Sequence, residues 1–135
     1  MILVDTSVWV SHFNGFATPQ TLFLANALDS DPKEITINAT IYQEVLQGAR
    51  SDSHFHVYQI VLDNTQFLQL PLRSSALKSA QLYRQLRKKG VTIRKPNDCL
   101  IAAYALHFDL ELCHNDVDFD QIAAHTDLKI WKPAL

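Results

Sequence analysis

Five short stretches with apolar residues, each bounded by polar ones, alternate along the chain with longer stretches whose apolar residues recur at helical spacing. Ile2, Leu3 and Val4 form a continuous aliphatic run, the pattern of a strand covered on both faces. The run stops at Asp5, and the hydroxyls of Thr6 and Ser7 precede a short helix with Val8, Trp9 and Val10. Thr18 and Pro19 open a second helix carrying Leu22, Phe23, Ala25 and Leu28. Ile35 and Ile37 alternate with Thr36 in a second strand, and Asn38 then caps a helix over ATIYQEVLQG that stops at Gly48. A further helix follows Ser51, with Phe55, Tyr58, Ile60, Val61 and Leu62, before a third strand in QFLQLPL.

Residues 74–89 predict a helix on Ala76, Leu77, Ala80, Leu82, Tyr83 and Leu86, its last turn loaded with Arg87, Lys88 and Lys89. VTIRKPND reads as a loop, and Pro96 starts a helix whose CLIAAYAL stretch is apolar on every face and so belongs in the core. ELCHND, with Leu110, Leu112 and Cys113, supplies a fourth strand; DFDQIAAH is a helix and LKIWK a fifth strand. Alternation of strand and helix marks βαβ units. The predicted class is therefore α/β, a single domain over residues 1–135. Its expected form is a three-layer α/β/α sandwich around a mostly parallel sheet of four or five strands. A chain of 135 residues buries roughly two thirds of its unfolded surface, enough for a core without disulfides.

Charge changes this picture by its distribution. A net charge of -2 argues against wholesale coating by nucleic acid, yet half of the 12 Lys and Arg residues fall between positions 84 and 95. Cations at the end of the 74–89 helix complement its dipole, which accounts for part of that cluster. Acids gather at Asp109, Glu111, Asp116, Asp118 and Asp120, predicting one acidic cluster besides one basic edge. Cys99 and Cys113 lie among apolar residues, as buried thiols of a reducing compartment do, and cytoplasmic localisation is expected. The N-terminus lacks the pattern of a signal peptide, and no apolar run approaches the roughly 20 residues that span a bilayer, so no membrane association is expected.

Four carboxylates stand next to apolar structure: Asp5, Glu44, Asp98 and Asp116. Asp5 and Asp116 each end a strand and precede a helix, where capping and ligand binding are both open to them. Asp98 sits in a first helical turn, favoured by the dipole, but burial without a partner would cost several kcal/mol. Glu44 lies roughly 60° outside the apolar arc of its helix, at a solvated rim or facing a site. If Asp5 and Asp116 end neighbouring parallel strands, the helices starting near residues 39 and 97 begin at the same sheet edge, and all four acids converge. Carboxylates about 4 Å apart repel by roughly 4 kcal/mol at an effective dielectric of 20. A divalent cation compensates such a cluster, and oxygen ligands without Cys or His indicate Mg²⁺ or Mn²⁺ rather than zinc. The HFH run at His54–His56 is too isolated for a metal site, and His114 reads as a strand-edge residue rather than a general base. Trp9, Phe13 and Phe16 fit core packing better than base stacking.

MILVDTSVWV at the start, the Glu in YQEVLQG, the stretch KPNDCLIAAYAL and HNDVDFDQI near the end together resemble the PIN-domain nucleases, and among them the compact VapC-type toxins of bacterial toxin–antitoxin pairs. The resemblance spans nearly the whole chain. It implies a metal-dependent endoribonuclease in which Asp5, Glu44, Asp98 and Asp116 hold one or two Mg²⁺ or Mn²⁺ ions. Thr6, Ser7 and Asp118 would support them, and hydrolysis by activated water would leave a 5′-phosphate and a 3′-hydroxyl. The resemblance also implies an RNA substrate, a homodimer and a cognate antitoxin. His114 departs from the pattern, since many relatives carry Thr or Ser two positions before the equivalent of Asp116. Under this reading Arg94 and Lys95 would hold RNA phosphates at the rim, and the Thr6 and Ser7 hydroxyls would cap the first helix, freeing Asp5 for the ion. The rival readings are another Mg²⁺-dependent phosphohydrolase, such as a haloacid-dehalogenase-like phosphatase, and a PIN-like protein that only binds RNA or a partner.

Overall fold

A computed structural model describes residues 1–134. Among them are five strands and seven helices. Strand β1 (Ile2–Val4) leads into α1 (Thr6–Phe13) and α2 (Pro19–Ser30), and a 3-10 turn over Pro32–Glu34 leads into β2 (Ile35–Ile37). Helices α3 (Ala39–Gln47) and α4 (Asp52–Asp63) precede β3 (Gln66–Phe67). Then come α5 (Leu72–Lys88), α6 (Pro96–Phe108), β4 (Glu111–Cys113), α7 (Val117–Ala124) and β5 (Lys129–Ile130).

All strand pairs are parallel, in the order β3-β2-β1-β4-β5. The chain therefore builds outward from β1 in one direction through β3, then crosses back and builds outward through β5. Right-handed crossovers in opposite directions put helices on opposite faces. Accordingly α1 to α4 pack in one layer and α5 to α7 in the other. The reversal leaves β1 and β4 side by side, with Leu3 opposite Leu112 and Val4 opposite Cys113. Ligands in open α/β sheets bind at such a switch point, beyond the carboxyl ends of the strands.

Burial follows the apolar pattern. Leu3, Val4, Ile35, Ile37, Leu112 and Cys113 fill the sheet, packed by Val8, Trp9, Ile41, Leu62, Leu86 and Phe119 from the helices. Helix α6 buries Cys99, Ile101, Ala102 and Ala105, in keeping with its lack of a polar face. Both cysteines are free, and burial pushes their thiols up, to about 11 at Cys99 and about 12 at Cys113.

The elements differ from the sequence pattern at three places. QFLQLPL contributes only the two-residue edge strand β3, because Pro71 sets the N-cap of α5, which begins at Leu72 rather than 74. Leu110 lies outside β4: Asp109 takes the left-handed conformation at φ 54°, and the Leu110 amide closes the end of α6 by bonding to the Ala105 carbonyl at 2.9 Å. The acids near the C-terminus also fail to form one cluster. Asp109 and Glu111 stand at the start of β4 and Asp116, Asp118 and Asp120 beyond its end, so the strand holds the two groups apart. Asp109 pairs instead with Lys129 at 3.0 Å.

Candidate active site

The site is assembled by element ends. Asp5 continues β1, its amide bonded to the Cys113 carbonyl of β4 at 2.9 Å. Its carboxylate caps α1, with Oδ2 accepting from the Ser7 amide at 2.9 Å and the Ser7 hydroxyl at 2.6 Å. The expected division of labour is thus reversed: the acid caps the helix and the hydroxyls serve acids. Ser7 Oγ also accepts from the Asn115 amide at 3.0 Å, tying the loop after β4 to the end of β1. Thr6 donates to Glu44 Oε1 at 2.7 Å, which turns Glu44 toward the start of α1 instead of out to solvent. Asn38 caps α3, its Oδ1 accepting from the Ile41 amide at 3.0 Å, and so fixes the helix that carries Glu44.

Asp98 comes from the first turn of α6, Asp116 is the N-cap of α7, and Asp118 lies in its first turn. One carboxylate oxygen from each of these three lies within 4.8 Å of the other two. Asp5, Asp98 and Asp118 are 4%, 6% and 4% exposed. Burial raises the Asp5 carboxyl above its usual range, although its bonds from Ser7 pull the other way and the Glu44 charge adds to the rise. Asp98 is pushed up to about 7, chiefly by burial, with Lys95 opposing and the charges of Asp5, Asp116 and Asp118 reinforcing the shift. At Asp116 burial is outweighed by hydrogen bonds from Lys95 and the Asp118 amide, which hold the carboxyl below its ordinary value.

All four acids singled out from the sequence therefore share one sheet edge, and Asp118 joins them. Asp118 belongs to the tightest group, while the Asp5 charge acts on Asp98 from beside it and the Glu44 charge acts on Asp5. The signal for Asp118 lay in the Asp116-Val117-Asp118 spacing, which places two acids around one helix start. Lys95 was expected on a free rim, but its ammonium hydrogen-bonds Asp116 and lies 3.8 Å from Asp98 Oδ2. Arg94 leans on Asp118 Oδ2 at 3.6 Å, beyond hydrogen-bond distance. The other cations of the basic stretch do local work. Lys89 donates to the His125 carbonyl at 2.9 Å, and Arg87 lies over the Tyr83 ring at 5.7 Å. His114 is buried, with Nδ1 accepting from the Asp116 amide at 2.9 Å and Nε2 3.2 Å from Asp120. It thereby supplies the local order at the Asp116 turn.

The donor set suits a hard divalent cation. It offers oxygen ligands alone, and two buried carboxylate oxygens, Asp98 Oδ2 and Asp118 Oδ2, have no hydrogen-bond partner among the described residues. A parallel α/β sheet with buried acids at its switch point is the arrangement of an α/β metal-binding site.

The PIN domain family model matches residues 2–125. The chain belongs to the PIN-domain family, on its VapC branch. It is 33% identical over 129 residues to VapC ribonuclease Mb1587 of Mycobacterium bovis, and equally to ribonuclease VapC11 of Mycobacterium tuberculosis, covering 96% of this chain and 96% of each relative. The fold matches VapBC2 from Rickettsia felis, solved bound to a promoter DNA fragment, with a TM-score of 0.74 and 19% identity over 97% of this chain and 98% of that one.

Proposed function

We propose that the chain is a metal-dependent endoribonuclease, the toxin of a toxin–antitoxin pair, with Asp5, Glu44, Asp98, Asp116 and Asp118 as its acidic site. The observation that carries this reading is the meeting of Asp98, Asp116 and Asp118 carboxylate oxygens at the switch point, with the buried Oδ2 of Asp98 and of Asp118 left without a hydrogen bond. Asp98, Asp116 and Asp118 would hold Mg²⁺ or Mn²⁺, with Asp5 and Glu44 beside them. The ion supplies Lewis-acid stabilisation of the phosphate and a water acidic enough to act as nucleophile near neutral pH. Ser7 holds Asp5 against the β4 end through Asn115, and Thr6 orients Glu44, so the acids are positioned before substrate arrives. RNA with a 5′-phosphate and a 3′-hydroxyl is the expected product.

The names of the relatives support RNA as substrate. A groove lined by Val10, Phe13, Val45 and Tyr58 supports a partner segment lying across α1, α3 and α4, as an antitoxin tail would. A homodimer is proposed on the family resemblance alone. Among the described residues no helix is long and apolar enough to cross a membrane, and the two buried free thiols support a cytoplasmic place of action.

Cleavage of a mixed RNA pool tests this reading: cutting should require Mg²⁺ or Mn²⁺ and stop in EDTA. The exposure of Arg94, three quarters of its side chain, supports a contact of its guanidinium with an RNA phosphate. Arg94→Ala should weaken RNA binding and reduce the slope of log K against log salt by about 0.7, one phosphate contact on a single strand. An unchanged slope removes Arg94 from the RNA path.

A further inference from the structure

Lys95 has an unusual place for a rim cation. Its backbone is extended at φ -113° and ψ 104°, as a residue before a proline prefers, which keeps it just outside α6 and at the mouth of the acidic site. From there the ammonium reaches inward to hydrogen-bond Asp116 Oδ2, with Asp98 Oδ2 3.8 Å away. The side chain remains 58% exposed, so it can leave without unpacking any core. Positive charge thus already stands where the carboxylates repel one another. An ammonium bonded to Asp116 and a dication held by the same carboxylates exclude each other by like charge and by shared ligand atoms. Lysine suits this exchange: its charge is compact and its stem flexible, whereas Arg94 lies further out, with no comparable bond to the acids.

Resting on the metal-site reading above, we propose that Lys95 is the resident counter-cation of the site, competing with the divalent ion for Asp98 and Asp116 and so setting the ion concentration at which the site fills. In the metal-free chain Lys95 holds the acids together. On metal entry the ammonium withdraws to solvent.

Isothermal titration of the metal-free full chain with Mg²⁺ alone tests this. Removing a half-exposed competitor in Lys95→Gln should tighten Mg²⁺ binding about three- to tenfold. Lys88→Gln, the same charge change at the C-terminal end of α5, at a residue with no ion pair to the acids, should leave the affinity as in the wild type. Thermal melts give a second readout: Lys95→Gln should melt below wild type in EDTA and approach it in saturating Mg²⁺. Unchanged or weaker Mg²⁺ affinity in Lys95→Gln overturns the proposal, as does an equal gain in Lys88→Gln, which would reduce the effect to net charge. If neither wild type nor variant binds Mg²⁺, the metal-site reading itself falls and takes this inference with it.

Discussion

Asp98→Asn will fold and will lose RNA cleavage by about 10³-fold or more, the scale of several kcal/mol of transition-state stabilisation. The side chain is buried, one of its oxygens accepts no hydrogen bond, and it meets the carboxylates of Asp116 and Asp118. Asparagine keeps the shape but gives up the charge that a cation requires. The same change should stabilise the metal-free protein. Asp98 titrates at about 7 in the folded chain against an ordinary 3.8, so between those values the folded state binds a proton that the unfolded state has released. Wild-type stability therefore falls as pH rises through that window and levels off above it, by on the order of 4 kcal/mol in all. Asp98→Asn lacks this loss. Thermal melts in EDTA at pH 5 and pH 8 should show the variant somewhat more stable than wild type at the lower pH and clearly more stable at the higher. A variant less stable than wild type at pH 8 would show that ionised Asp98 is held by partners strong enough to repay its burial.

Trp9→Ala carries the second large effect, a destabilisation of about 3–5 kcal/mol in urea unfolding. The ring is fully buried, its Nε1 donates to the Val4 carbonyl at 3.2 Å, and Phe13 stacks on it at 5.8 Å and on Tyr58 at 4.0 Å. Trp9 thus fastens α1 to the end of β1, one residue before Asp5. A loss under about 1 kcal/mol, with RNA binding reduced, would instead mark Trp9 as a base-stacking residue that the fold can spare.

Most of the architecture was legible because its signals are local. Asn38 and Gly48 bound α3, Thr18 and Pro19 open α2, and the aliphatic run of β1 reads as buried. The limits of β3 and β4 were not, since they depend on where Pro71 starts one helix and how Asp109 ends another. At the site, the placing of Asp5 and Asp116 at one sheet edge followed from topology, because parallel strands bring their carboxyl ends together. Who bonds whom did not follow. Asp5, Thr6 and Ser7 are adjacent, and any of them could have capped α1; the choice was made by partners 38 and 108 residues away, Glu44 for Thr6 and Asn115 for Ser7. Lys95 was read as facing RNA because sequence shows its neighbours along the chain and not Asp116, 21 residues on.

The most direct test of a metal-dependent ribonuclease built on these carboxylates is cleavage of a mixed RNA pool by metal-free protein as Mg²⁺ is added. Cutting should be absent in EDTA, appear with the ion, and stay absent in Asp98→Asn at every Mg²⁺ concentration. Continued cutting in EDTA, or RNA bound but left intact with every divalent ion tried, would contradict it.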